Sequence, residues 1–215
     1  MSYAGETQEA YTYIAPIQGF EQLYGEYSQE QPLGLDNTQV RIRPVKEAAI
    51  LGTLGLPYSD PADVHHYVSI HCNPPGVLTD QASVVSHDFG KGKTLYVAGD
   101  LESNEIYQAI FIRLIRLLQP EFSWDATAPG TVEITCFDQP DKKRVILSLL
   151  NFQKDLPNIP VQAVKVRVRL GGGEKASSLV LLPRRRKLAF TSHPHAVEFV
   201  IPYLETFQML ALEYS

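Results

Sequence analysis

The chain has 215 residues, 44% hydrophobic and 20% charged, a composition that excludes the disordered and membrane classes and belongs to folded globular proteins. A formal net charge of -5, from 19 basic and 24 acidic residues, excludes a chain-wide attraction to nucleic acid or to an anionic membrane surface, and neither is expected as a partner. The only cysteines, Cys72 and Cys136, are too few for a disulfide framework or a cysteine-built zinc site, so both are read as reduced thiols in strands.

This length suits two modest domains better than one. The N-terminus lacks the basic start and apolar run of a signal peptide, and no stretch is long enough to span a bilayer, which leads us to expect a cytoplasmic protein. In chain order, Ala10 to Ala15 has the aromatic and branched residues of a strand, and the Tyr- and Gln-rich segment after it reads as a loop. Gln39 to Arg43 and Ala48 to Leu54 read as short strands, with Pro57 as a stop. Tyr67 to His71 alternates as a strand closed by Asn73-Pro74-Pro75-Gly76. Ala82 to His87 and Thr94 to Ala98, joined by Gly90-Lys91-Gly92, predict a hairpin. Ser103 is placed to cap a helix in which Ile106, Ile110, Leu114 and Leu117 form the apolar stripe, and Pro120 ends it near Leu118 or Gln119.

Beyond Trp124 every candidate is a strand: Thr131 to Phe137, Arg144 to Asn151, Val161 to Leu170, Leu179 to Leu182, Lys187 to Phe190, Ala196 to Ile201 and Thr206 to Glu213. Val164, Val166, Val168 and Leu170 alternate with Lys165, Arg167 and Arg169, which marks a half-buried strand with cations on its wet face. Short strands separated by Gln139-Pro140-Asp141, Gly171-Gly172-Gly173 and His193-Pro194 predict an antiparallel sandwich, with the domain boundary near Ser123 to Pro129.

Few residues invite a chemical reading. Gly90-Lys91-Gly92-Lys93-Thr94 lacks the glycine that a phosphate loop needs at position 87, which is His87, and a strand rather than a helix follows it. Cys72, with His71 or His87 as base, lacks the flanking small residues and following helix of a nucleophile elbow. His193 and His195 flank Pro194 and have no third metal ligand near them, while Arg184-Arg185-Arg186-Lys187 reads as a solvated hairpin tip. Glycoside hydrolysis needs two carboxyl groups roughly 5 to 10 Å apart, and nothing in the spacing of Asp80, Asp100, Glu102 and Glu105 marks two as opposed partners. No catalytic residue, metal ligand or cofactor is therefore expected, and the binding residues are left open.

Pro74 to Asp80 and Ala82 to Asp100, with Gly5-Glu6-Thr7 and Tyr13-Ile14-Ala15-Pro16 upstream and the helix from Ser103 to Leu118 downstream, resemble the end of the amidotransferase-like trimerisation domain of beta-galactosidases. Val145 to Phe152, Val161 to Leu170, Leu181-Leu182-Pro183 and Val197 to Glu205 resemble the small β-sandwich that follows it in related glycosidases. The resemblance implies a partial amidotransferase-like, flavodoxin-like α/β domain over residues 1–122 and an immunoglobulin-like sandwich over 129–215. That family holds its catalytic glutamates in an N-terminal barrel, for which 215 residues leave no room. It also generally lacks the amidotransferase cysteine triad.

The leading expectation is a non-catalytic accessory or oligomerisation portion of a carbohydrate-active enzyme. Its partners would be its own copies or a catalytic barrel chain, because an incomplete first sheet would expose an edge or an apolar patch. The alternatives are a carbohydrate-binding module using Tyr203, Trp124, Tyr11 or Tyr13, and a small cysteine-dependent hydrolase or amidotransferase.

Overall fold

A computed structural model of the chain describes residues 1–60, 62–69, 72–155 and 157–215. It divides into two compact units, Met1–Pro120 and Glu121–Ser215.

In the first unit, β2 (Thr12–Pro16), β3 (Leu33–Leu35), β5 (Ala49–Pro57), β6 (Pro75–Phe89) and β7 (Gly92–Val97) form one sheet in the order β3-β2-β5-β6-β7, with every pairing antiparallel. Separately, β1 (Ser2–Glu6) pairs with β4 (Val40–Arg43). Helices α1 (Glu21–Tyr24) and α2 (Gln108–Leu118) supply Leu23, Tyr24, Ile110 and Leu114 to a core shared with Ile14, Leu33, Leu35, Leu51 and Val84. The neighbouring Val85 belongs instead to a second cluster, with Ala82 and Ile42, so the sheet is covered by helices on one face and by β4 on the other. This corrects the expected flavodoxin-like layer. That layer needs parallel strands joined by crossover helices, whereas direct hairpins and short loops here leave the unit little α/β character.

Local chemistry explains where this unit departs from the predicted elements. Tyr67 to Ser69 form no strand, and Ile70 and His71 lie outside the described residues. Pro75 does not close a strand but begins one, a position where its missing N–H removes no interior ladder bond. The helix is capped one residue later than Ser103: Asn104 Oδ1 accepts from Ile106 N at 3.0 Å and opens a 3₁₀ turn at Glu105–Tyr107. Ser103 donates to Asp100 Oδ2 at 2.6 Å, and Ile106 is solvent-exposed while Tyr107 takes its place in the core. The Gly90-Lys91 hairpin forms as expected, Phe89 pairing with Gly92 across it and Gly90 holding φ +60, which suits glycine as the first residue of a two-residue turn.

The β5–β6 ladder is irregular, with register shifts around Gly52 and Gly55. A Cβ on Gly55 would stand 2.9 Å from Tyr13 Cβ, so the tyrosine ring occupies space that only glycine leaves free. Tyr24 is fully buried over Gly52; its hydroxyl has no hydrogen-bond partner, and burial pushes its phenol well above the ordinary range. Gln39 ties the interior together. Its Nε2 donates to Thr12 Oγ1 at 3.0 Å and Tyr13 O at 2.9 Å, its Oε1 accepts from Ser83 Oγ, and its backbone N–H donates to Thr7 Oγ1 at 3.0 Å. Every polar group of that side chain is satisfied, the condition under which burial of an amide is tolerated.

The second unit is an antiparallel β-sandwich. One sheet has the order β13-β12-β16-β10-β9, formed by β9 (Val132–Gln139), β10 (Arg144–Asn151), β12 (Ala176–Leu182), β13 (Arg186–Lys187) and β16 (Phe207–Tyr214). The other has the order β14-β15-β11-β8, formed by β8 (Trp124–Thr127), β11 (Val161–Arg169), β14 (Phe190–His193) and β15 (Ala196–Leu204). Strict alternation drives the assembly: Val145, Leu147 and Leu149 of β10 and Leu210, Leu212 and Tyr214 of β16 meet Val164, Val166 and Val168 of β11 and Val197, Phe199 and Ile201 of β15 in one core. Each fully buried aliphatic side chain contributes about 1.5–3 kcal/mol. Asn151, also buried, donates to Ile159 O and Glu205 O, both at 2.9 Å, and so pins two loops. Strand β8 lies within the segment read as a linker.

Candidate binding groove

On β11 the pleat that sends Val164, Val166 and Val168 inward sends Lys165, Arg167 and Arg169 outward. The ladders then set their neighbours: Arg167 stands opposite Glu198 of β15 and opposite Asp125 of β8, and Lys165 opposite Val200 and Thr127. Thr191 of β14 faces Glu198 from the other side. The result is a row across four strands, Thr191-Glu198-Arg167-Asp125, in which the charges alternate.

These residues floor a groove of about 760 Å³. Leu188, Val200 and Pro202 give it an apolar flank. Arg167 Nη1 lies 3.7 Å from Glu198 Oε1, and His193 Nε2 lies 3.3 Å from Glu198 Oε2, so one carboxylate faces both a guanidinium and an imidazole. At the end of β11, Arg169 Nη1 meets Glu121 Oε2 at 2.6 Å. The groove holds Lys165 and Arg167 against Asp125 and Glu198, two charges of each sign. Such a surface binds through paired donors and acceptors rather than through net field.

Other sequence candidates fall elsewhere. Cys72 is exposed and His71 lies outside the described residues, while His87 is on β6 with its Nδ1 unpartnered. Cys136 sits on β9, where burial, followed by the nearby Asp138 carboxylate, pushes its thiol up to about 11, the signature of an inert structural cysteine. His193 ends β14 and His195 lies in the turn after it, both exposed, and no grouping of metal-ligating side chains occurs among the described residues. Arg185 of the cationic run reaches Glu213 Oε1 at 2.7 Å, and Arg186 and Lys187 are β13 itself. Asp100 is committed to Ser103, and Asp80, Glu102 and Glu105 are exposed.

Among the aromatic candidates, Tyr13 is buried, donates to Asn73 O, and makes an edge contact with Tyr11 at 5.2 Å. Burial pushes its phenol upward, with Tyr11 adding to the effect. Tyr107 donates to Gly34 O at 2.5 Å and is likewise raised, to about 12, by burial and then by Tyr27, whose ring lies 5.8 Å away. Trp124 is half-buried against the sandwich core. Only Tyr203 is open, 53% exposed and next in the chain to the groove-lining Pro202.

Sequence reading found the cationic face of β11 but not its partners. Glu198 and Asp125 lie about 30 and 40 positions from Arg167 along the chain and meet it only through strand register. The one local signal was the alternation itself.

No family model matches the chain, and no curated protein sequence matches it. Among solved structures, α-L-fucosidase isoenzyme 2 from Paenibacillus thiaminolyticus aligns over 99% of this chain and 33% of the fucosidase, with a TM-score of 0.73 at 21% identity. A cycloisomaltooligosaccharide glucanotransferase from Paenibacillus sp., complexed with cycloisomaltoheptaose, aligns over 48% of this chain and 20% of that one, with a TM-score of 0.32 at 16% identity. The chain thus spans about one third of the fucosidase and shares the fold of that part of it. That likeness is coarser than the beta-galactosidase or amidotransferase-like trimerisation assignment. No helix among the described residues is long and apolar enough to cross a membrane.

Proposed function

We propose that this chain is a non-catalytic accessory portion of a glycoside hydrolase, with an immunoglobulin-like sandwich, acting in oligomerisation or in packing beside a catalytic barrel. The observation that carries the reading is the fold shared with one third of a fucosidase across nearly all of this chain. The carboxylates supply further support. Glycoside cleavage needs two carboxyl groups facing a sugar between them. Asp125 and Glu198 stand two strands apart, about 10 Å by strand spacing. Arg167 of β11 stands between them in the register, on the strand that a sugar lying between the two carboxylates would have to cross.

Val77 and Leu78 at the start of β6 are exposed, as are Tyr58, Val64 and Tyr67 in the segment before it, an apolar surface suited to cover by another polypeptide. The test is twofold. Incubation with aryl α-L-fucosides and aryl β-galactosides is expected to give no turnover, and turnover abolished by a single substitution would overturn the reading. Light scattering is expected to give a mass above that of the 24.0 kDa chain, whereas a monomer at high concentration removes self-association and leaves only the barrel partner.

A further inference from the structure

We infer that the outer face of the β14-β15-β11-β8 sheet is a binding site for a neutral saccharide chain, an inference that rests on the carbohydrate-active reading above. The ligand class follows from three properties of the groove.

The first is capacity. A volume of about 760 Å³, in a groove that is open to solvent, falls within the range of ligand sites. The second is charge. Asp125 and Glu198 repel a polyanion, and Lys165 and Arg167 repel a polycation, so the ligand that meets no penalty carries no net charge. The third is hydrogen-bonding grammar. Arg167 offers five N–H donors and directs one toward Glu198 at the long distance of 3.7 Å, carboxylates accept, and Thr127 and Thr191 do both. A ligand that engages all of them must donate and accept at closely spaced positions, as the hydroxyls of a sugar do.

The flank completes the match. A pyranose presents C–H faces between its rims of hydroxyls, and Leu188, Val200 and Pro202 supply apolar contact beside the polar row. An unbranched peptide would pair with a strand edge through its backbone, whereas this site is the face of a sheet whose inner strands are already paired on both sides.

Isothermal titration calorimetry of the 215-residue chain with soluble galactan, dextran and fucosylated xyloglucan oligosaccharides, and with polygalacturonate as the charged counterpart, tests this directly. At least one neutral chain is expected to bind, with an affinity constant within twofold between about 0.05 and 0.5 M salt. Arg167→Ala and Lys165→Ala are each expected to weaken it about tenfold, and Lys142→Ala, outside the groove lining, to leave it unchanged. If Arg167→Ala melts below the assay temperature, Thr191→Val removes one hydroxyl with little change of volume and is expected to weaken binding about fivefold. No heat with any neutral chain, binding of polygalacturonate alone, or a neutral-chain affinity indifferent to these substitutions would overturn the inference. Each of those results leaves the hydrolysis assay unaffected, and turnover of a glycoside would overturn the accessory reading while leaving the groove titration to stand or fall by itself.

Discussion

The two units solve the same problem with different materials. Residues 121–215 bury one face of each sheet through regular alternation, so that Val164, Val166 and Val168 meet Leu147 and Leu210. Residues 1–120 instead bury tyrosines over glycines and an amide among hydroxyls: Tyr13 against Gly55, Tyr24 against Gly52, Gln39 among Thr7, Thr12 and Ser83. The first design is tolerant in any one polar contact and costly in volume; the second is the reverse. The contrast teaches that a sheet with bulges needs polar pins to hold its register, whereas an unbroken pleat holds register by which face is wet.

Four experiments would break or sharpen that contrast. Leu147→Ala is expected to cost about 2–5 kcal/mol in denaturant unfolding, because neighbours from both sheets surround the void. Gln39→Leu is expected to cost about 1–3 kcal/mol by leaving Ser83 Oγ without its acceptor and Tyr13 O without one donor, and a neutral result would show that the network is ornamental. Asn104→Ala is expected to cost about 1 kcal/mol through loss of the cap on the turn leading into α2, read as a lowered midpoint with an unchanged slope.

The fourth uses alkali. Tyr13, Tyr24 and Tyr107 in the first unit and Tyr214 in the second all have phenols raised in the fold. For Tyr214 the hydrogen bond to Asp138 is the main cause, and it and Tyr107 reach about 12. A group whose folded value lies above its unfolded value of about 10 stabilises fully below that pH and loses its contribution as the pH rises through the folded value. Stability is therefore expected to fall from about pH 10 toward 12. The tyrosinate absorbance of these four residues should appear with unfolding rather than before it. Tyr24→Phe removes a hydroxyl without a partner and is expected to delay the transition at no cost near neutrality.

How far the fold was legible follows the same division. Six strands of the sandwich could be read because period-two alternation is local, and the helix ending before Pro120 could be read from its stripe and its proline; Lys187 to Phe190, expected as one strand, instead joins the end of β13 to the start of β14 in the other sheet. Strand β8 could not: Trp124 to Thr127 is too short to display a period, and it exists because β11 offers an edge about 40 residues away. In the first unit β2, β4, β5 and the β6–β7 hairpin were legible, whereas β1 and β3 were not and Tyr67 to Ser69 form no strand, and the antiparallel order was not legible either. That order is set where Gly52 and Gly55 admit bulges, and by Gln39 reaching residues remote in the chain. The groove was half legible, its cations announced by alternation and its acids concealed in the register of other strands.

The run Arg184 to Lys187, which takes no part in the groove floor, has a consequence at the border of its sheet. Strand β13 is only two residues long and both are cations, so the outermost rung of the five-stranded sheet is short and repels an identical rung from another molecule. An uncharged border would be a template for fibril growth; this one discourages it, and neutralising Arg186 and Lys187 together should raise thioflavin-positive aggregation without moving the melting temperature.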